Sequence, residues 1–219
     1  MTQINLTRND IVREREIKYL VHDKLSLDDI LNVFMNNDYE LANPPHKKSK
    51  DEIFYDDEHM TILNRGDVFR ESHYRFNNDQ TTHDFMYKMQ NSNSNKPYVE
   101  RIEIRAKTNS IDEFKTLFGN NVPQNVQPVL HASMERDYAT VQKGDFLVII
   151  TLDKTTYTKN DKTYTEYMAE FEDISYVISG IDNDAHLDNV HKLLTKSGLP
   201  LELTKQSKYQ RGWQKLGNY

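Results

Sequence analysis

The run DIVREREIKYLV, residues 10–21, decides how the rest of the chain is read. β-Branched and charged residues alternate along it, and side chains on a strand alternate between its two faces. Glu14, Glu16 and Lys18 therefore point one way, and Ile11, Arg13, Arg15, Ile17 and Tyr19 the other. Two glutamates on one face repel each other unless a cation lies between them.

The same pattern recurs further along. Glu170 and Glu172 share a face with Glu166 and Met168, while Ala169 and Phe171 lie opposite. Arg101, Glu103, Arg105 and Lys107 share a face, with Ile102, Ile104 and Ala106 on the other. Half-buried antiparallel strands with one wet side give such alternation too. The paired glutamates of the first and last long strands weigh against that plainer reading. Carboxylate pairs are what Mg²⁺ or Mn²⁺ prefers, with phosphate oxygens and waters completing the shell.

Around these strands the spacing predicts further strands near 50–57, 67–77, 82–90, 98–107, 128–140 and 145–153. QNSNSNK (90–96) reads as a hairpin loop. Ser26 reads as the cap of a helix carrying Leu27, Ile30, Leu31 and Phe34. A short helix is expected over 111–118, ended by Gly119. Leu187, Val190 and Leu194 form a helical stripe before Gly198, and Tyr209, Trp213 and Leu216 another within 204–216. Trp213 is expected to anchor that last helix. Asn43-Pro44-Pro45 marks a loop, with Lys47, Lys48 and Lys50 in a solvated turn after it. Arg211 and Lys215 read as a solvated helix face. The sum is one α+β domain over residues 1–219, an antiparallel barrel or sandwich of about eight strands with peripheral helices.

Composition narrows the function. A net charge of −6 disfavours a nucleic-acid binder, yet a small polyanion answers to local field rather than net charge. Zero Cys excludes disulfides, thiolate metal sites and a Cys nucleophile. The eight His show no HxH or HExxH spacing, so no zinc site is expected from them. No P-loop, dinucleotide-binding glycine motif or nucleophile elbow is present. MTQINLTRNDIVRERE holds no apolar signal core and no apolar run approaches membrane-spanning length, so a cytoplasmic protein with no membrane partner is expected.

The run Glu14-Arg15-Glu16-Ile17-Lys18 resembles the ExExK pattern that opens CYTH domains, the triphosphate tunnel metalloenzymes. Other matches follow in the family's order. They are IFYDDEHMTILNRGDVFR (53–70), Phe85-Met86-Tyr87-Lys88, Arg101-Ile102-Glu103, Arg136, Leu152-Asp153, Glu170-Phe171-Glu172 and Ser207-Lys208-Tyr209. The resemblance runs from about residue 10 to 212. One departure is that Arg70 is followed by Glu71 and Ser72 rather than by a second arginine, and Arg75 has the opposite parity.

The resemblance implies a closed barrel of about eight antiparallel strands around a tunnel. It implies that Glu14, Glu16, Glu170 and Glu172 are catalytic and bind Mg²⁺ or Mn²⁺. Glu103 and Asp153 are implied for a second metal or an attacking water. Lys18, Arg70, Lys88, Arg101, Arg105, Arg136 and Lys208 would clamp phosphate. The implied activity is metal-dependent hydrolysis of a small-molecule triphosphate, inorganic tripolyphosphate first. An adenylyl cyclase, a thiamine triphosphatase and a non-enzymatic polyphosphate or nucleotide binder are the alternatives. No nucleic-acid partner is expected, and a homodimer is allowed for.

Overall fold

The computed structural model describes residues 11–22, 24–75, 81–91, 95–107, 110–118, 122–175, 178, 180, 183 and 185–217. Residues 1–10, the centre of the 90–96 loop, the expected helix stop at Gly119 and the end of the 67–77 stretch lie outside them.

In chain order the elements are β1 (Ile11–Val21), α1 (Leu27–Met35), β2 (Glu40–Asp56), α2 (Thr61–Arg65), β3 (Val68–Arg75), β4 (Thr81–Gln90) and β5 (Val99–Ala106). After these come α3 (Ile111–Phe118), β6 (Gln127–Lys143), β7 (Phe146–Lys159), β8 (Lys162–Asp173), α4 (Ala185–Lys196), β9 (Leu201–Thr204) and α5 (Lys208–Leu216). Hydrogen bonding orders the strands β5-β4-β3-β2-β6-β7-β8-β1-β9, and a further β5–β1 pairing closes eight of them into a barrel. β1 is the seam. Its first half, Ile11–Glu16, pairs antiparallel with β5, and Glu16–Leu20 pairs with β8. β9 continues the β5 side along Lys18–Val21.

The apolar faces point outward and are covered by helices. Ile17, Tyr19 and Val21 of β1 pack with Val148, Ile150 and Phe171 against Leu27, Ile30 and Phe34 of α1 and Leu187, Val190 and Leu194 of α4. Ser26 caps α1 in a reciprocal box with Asp29. Phe69, Phe85 and Tyr87 form a second outer cluster with Ile62 of α2 and Phe114 of α3. Each helical stripe thus covers the face of a strand whose other side is charged.

One end of the barrel is filled. Phe54, Val68, Leu130 and Tyr157 meet Tyr209 and Leu216 of α5. The rings of Phe54 and Tyr209 stack at 5.3 Å, and the Tyr209 hydroxyl donates to Asp56 Oδ2 at 2.8 Å. Asp56 also accepts from the backbone N–H groups of Ile62 and Leu63, so one carboxylate ties α2 and α5 to the end of β2. Close approach depends on Gly212, where an added Cβ would come within 2.5 Å of the Tyr157 ring and 2.7 Å of Leu130. Trp213 packs at the edge of this cluster, with Lys159 Nζ 3.8 Å from its ring centroid.

Three expectations are corrected. The stretch after Pro45 is not a loop: β2 runs unbroken from Glu40 to Asp56 along β6. The two prolines lie where the ladder shifts register between Asn43 and His46, an irregularity that tolerates residues without an N–H. Alternation then turns Lys48 and Lys50 inward rather than into solvent. On α5, Arg211 is not solvated, because its guanidinium pairs with Glu166 at 2.7 Å. The expected helix start near 204 gives way to β9, with α5 beginning at Lys208.

Candidate functional site

The charged faces turn inward and line a cavity of 580 Å³. Among the described residues, ten lysine and arginine side chains and six carboxylates face it. The chain as a whole carries −6, so cationic groups are concentrated inside against the overall charge. A cavity built this way attracts a polyanion by its local field.

One group of side chains is acidic. Glu16 of β1 is the ladder partner of Glu172 of β8, and Glu14 that of Arg101 of β5. Lys88 reaches Glu14 at 2.5 Å and Glu103 at 2.9 Å, and Lys18 reaches Glu16 at 2.6 Å. Arg101 stands 3.4 Å from the same Glu16 oxygen. Burial raises the pKa of Glu103, but Lys88 and Arg105 bring it down to about 2. Burial opposes ionisation of Glu14 as well, but Lys88, Lys18 and Arg101 together outweigh it and leave the pKa lowered.

Glu172 differs. Burial, with Glu14 and Glu16 beside it, pushes its carboxyl up to about 8. Among the described residues it makes no hydrogen bond or ion pair, and Glu14 Oε2 is likewise buried without a partner. Unpartnered carboxylate oxygens in a shielded space are what a divalent cation with oxygen ligands fits. Glu14 and Glu172 therefore offer oxygen donors of suitable chemistry, with Glu16, held by Lys18 and Arg101, beside them.

The other group is cationic. Arg70 pairs with Glu52 at 2.7 Å, and Lys50 pairs with the same carboxylate oxygen at 2.5 Å. Arg136 holds Asp153 through two hydrogen bonds of 2.6 and 2.5 Å, and reaches Glu170 at 3.0 Å. Lys208 bridges Asp153 at 2.9 Å and Glu170 at 2.5 Å. It is the first residue of α5, whose Ser207–Gln210 capping box sets it at the cavity wall. Burial drives Lys50 down to about 7, with Arg70, Arg136 and Lys208 adding to the effect against Glu52. Lys48 falls to about 8 by burial and the field of Arg136. Such crowding is relieved by an anion. Arg105, half-exposed, pairs with Glu103 at 2.8 Å and approaches Asp84.

The residues singled out in the sequence are thus distributed as follows. Glu14, Glu16, Lys18, Arg70, Lys88, Arg101, Glu103, Arg105, Arg136, Glu170, Glu172 and Lys208 all line the cavity. Asp153 is fully buried behind the wall, with both oxygens engaged by Arg136 and Lys208. Arg75 lies outside and pairs with Asp51, so it does not stand in for a second arginine beside Arg70. Lys50, Lys48, Glu52 and Asp84 were missed. Their signal was present: Lys48, Lys50, Glu52 and Phe54 alternate with outward residues, as do Asp84, Met86 and Lys88.

No protein-family model and no curated protein match the chain. Solved structures do. The PH1819 protein of Pyrococcus horikoshii OT3 is similar at a TM-score of 0.58 and 19% identity, over 92% of this chain and 99% of that one. HpAC1 from Hippeastrum, described as a candidate adenylyl cyclase with a dominant triphosphatase activity, gives 0.57 and 14% over 90% and 95%. A candidate adenylate cyclase from Bacillus halodurans gives 0.52 and 12% over 92% and 98%. At these identities the likeness speaks to architecture. Among the described residues no helix is long and apolar enough to cross a membrane. With eight strands closed around inward-facing acids and bases, the fold of this chain is the tunnel barrel of the CYTH type.

Proposed function

We propose that the chain is a metal-dependent hydrolase of triphosphates, with inorganic tripolyphosphate as the leading substrate. The carrying observation is the enclosed excess of cations beside the carboxylates of Glu14, Glu16 and Glu172, of which Glu14 keeps one buried oxygen without a hydrogen bond, inside a chain of net negative charge. The Hippeastrum relative's described triphosphatase activity supports the same reading.

In this reading Lys50, Arg70, Arg136 and Lys208 bind phosphate oxygens, joined by Lys18, Lys88, Arg101 and Arg105 as the ion pairs open. Guanidinium forks suit two oxygens at once. Asp153, Glu170 and Glu52 hold these cations in place; with both oxygens occupied, Asp153 acts as a positioning residue. Glu14, Glu16 and Glu172 would hold Mg²⁺ or Mn²⁺, with Glu170 and Glu103 adjacent. Such an ion supplies charge neutralisation at the phosphate oxygens and acidifies the attacking water. Phosphoryl transfer asks the protein mainly for position and electrostatic stabilisation, and rigid strands carrying opposed charges provide both.

The test is a panel of tripolyphosphate, ATP, GTP and thiamine triphosphate with Mg²⁺ or Mn²⁺, following phosphate and cyclic nucleotide together. Tripolyphosphate should be turned over fastest, and Glu14→Gln or Glu16→Gln should lower turnover about 10²-fold or more with the fold intact. Cyclic nucleotide as the main product would instead mark a cyclase. Tight binding without turnover would mark a polyphosphate sensor.

A further inference from the structure

The two strands that present Arg70 and Lys88 to the tunnel carry a second cluster on their outer face. With Arg70 and Tyr74 facing the cavity, Glu71 and His73 face outward, and the ladder sets His83 opposite His73. His73 Nε2 lies 2.9 Å, and His83 Nε2 2.8 Å, from one and the same oxygen, Glu71 Oε1. The two imidazoles stack at 4.8 Å, only 11° from parallel.

Two neighbours fix this arrangement. The Tyr55 hydroxyl donates to Glu71 Oε2 at 2.6 Å, which holds Oε1 toward the rings. Phe85 packs edge-on against His83 at 5.1 Å. Bonds of this kind to the non-ligating oxygen orient metal-binding carboxylates. A plain His–Glu–His hydrogen-bond cluster does not account for His83 Nε2, which is buried and makes no hydrogen bond although it lies 2.8 Å from the carboxylate.

We infer that Glu71, His73 and His83 form a transition-metal site, for Zn²⁺ or an ion of similar softness, separate from the tunnel. Two imidazoles and one carboxylate are a donor set that Zn²⁺ takes readily, whereas Mg²⁺ keeps to oxygen. The three ligand atoms lie within 4.8 Å of one another. Tetrahedral zinc with bonds of about 2.0–2.2 Å needs its ligand atoms roughly 3.3 Å apart, so small side-chain rotations suffice. His73 is the most exposed of the three, which leaves a fourth position open to water. One imidazole comes from β3 and the other from β4, so the ion would clamp the two strands together.

The experiment titrates Zn²⁺ calorimetrically into the untagged full-length chain in excess Mg²⁺, which occupies oxygen-only sites. One Zn²⁺ equivalent should bind, survive in Glu172→Gln, and weaken about 100-fold in both His73→Ala and His83→Gln. Zn²⁺ should also raise the Tm of the wild type but not of the two histidine variants, whose metal-free Tm and spectra report that they fold. Co²⁺ in place of Zn²⁺ should give tetrahedral visible absorption that both variants lose. A Zn²⁺ equivalent that is absent from the wild type, persists in the histidine variants, or is displaced by Mg²⁺ overturns the assignment. None of these readouts depends on triphosphate turnover, so the tunnel reading can fail separately.

Discussion

At the scale of single residues, Lys50 and Glu172 are out of line with their ordinary ionisation in opposite senses. Lys50 is a base lowered to about 7, so much of it is neutral at pH 8 in the free protein. A bound triphosphate favours the ammonium, and the bound state therefore keeps this proton to higher pH. Tripolyphosphate binding at pH 8 should take up protons, seen as a calorimetric heat that varies with the buffer's ionisation enthalpy. Lys50→Arg, charged throughout, should flatten the fall in affinity between pH 7 and 9 by several-fold. Glu172 is an acid raised to about 8. Its folded-state pKa lies above the unfolded one, so the stability it contributes is complete below about pH 4.5 and is lost as pH rises through 8. Glu172→Gln should therefore raise the metal-free Tm at pH 8 by about 5 °C and remove most of the Tm gain that Mg²⁺ gives the wild type. No change in either quantity would dissociate Glu172 from the cation.

Among the elements, α5 has the most consequences for the site. Its capping box fixes where the helix starts, and the first residue after the cap is Lys208, whose ammonium joins Asp153 and Glu170. Its face against the barrel admits no side chain at position 212. Gly212→Ala should cost about 1–3 kcal/mol, the usual effect of overpacking, and should weaken tripolyphosphate binding as Lys208 is displaced. Urea unfolding and a binding titration on the same variant check both. If affinity is unaffected while stability falls, α5 plugs the barrel without positioning the lysine. β2 offers a second lesson: two prolines suggested a break, and a bulged ladder to β6 carried the strand through them.

For the whole molecule, the barrel is turned inside out relative to a common soluble domain. Apolar cores lie outside the strands under α1, α2, α3 and α4, and the interior is a network of ion pairs with positive charge in excess. Burying so many charges is costly unless each is paired or coordinated. Free of ligand, the excess cations repel one another, so tripolyphosphate should stabilise the fold strongly. At a hundredfold excess over Kd the gain is about 2.7 kcal/mol, readable as a rise in Tm that shrinks with added salt. A Tm indifferent to tripolyphosphate would contradict an interior built for polyanions.

Alternation within strands was legible from the sequence, because it depends only on the pleat: Glu14, Glu16 and Lys18, or Arg101, Glu103 and Arg105, had to share faces in any sheet. The amphipathic helices were legible for the same local reason. Which face turned inward was not, since a wet outer face and a charged tunnel have the same one-dimensional pattern; closure of β1 onto β5 decided it. Nor could spacing place Lys50 beside Arg70, Asp153 behind Arg136, or His83 across from His73. Those neighbours lie on different strands, and strand register is fixed by the packing of the whole barrel rather than by any one segment.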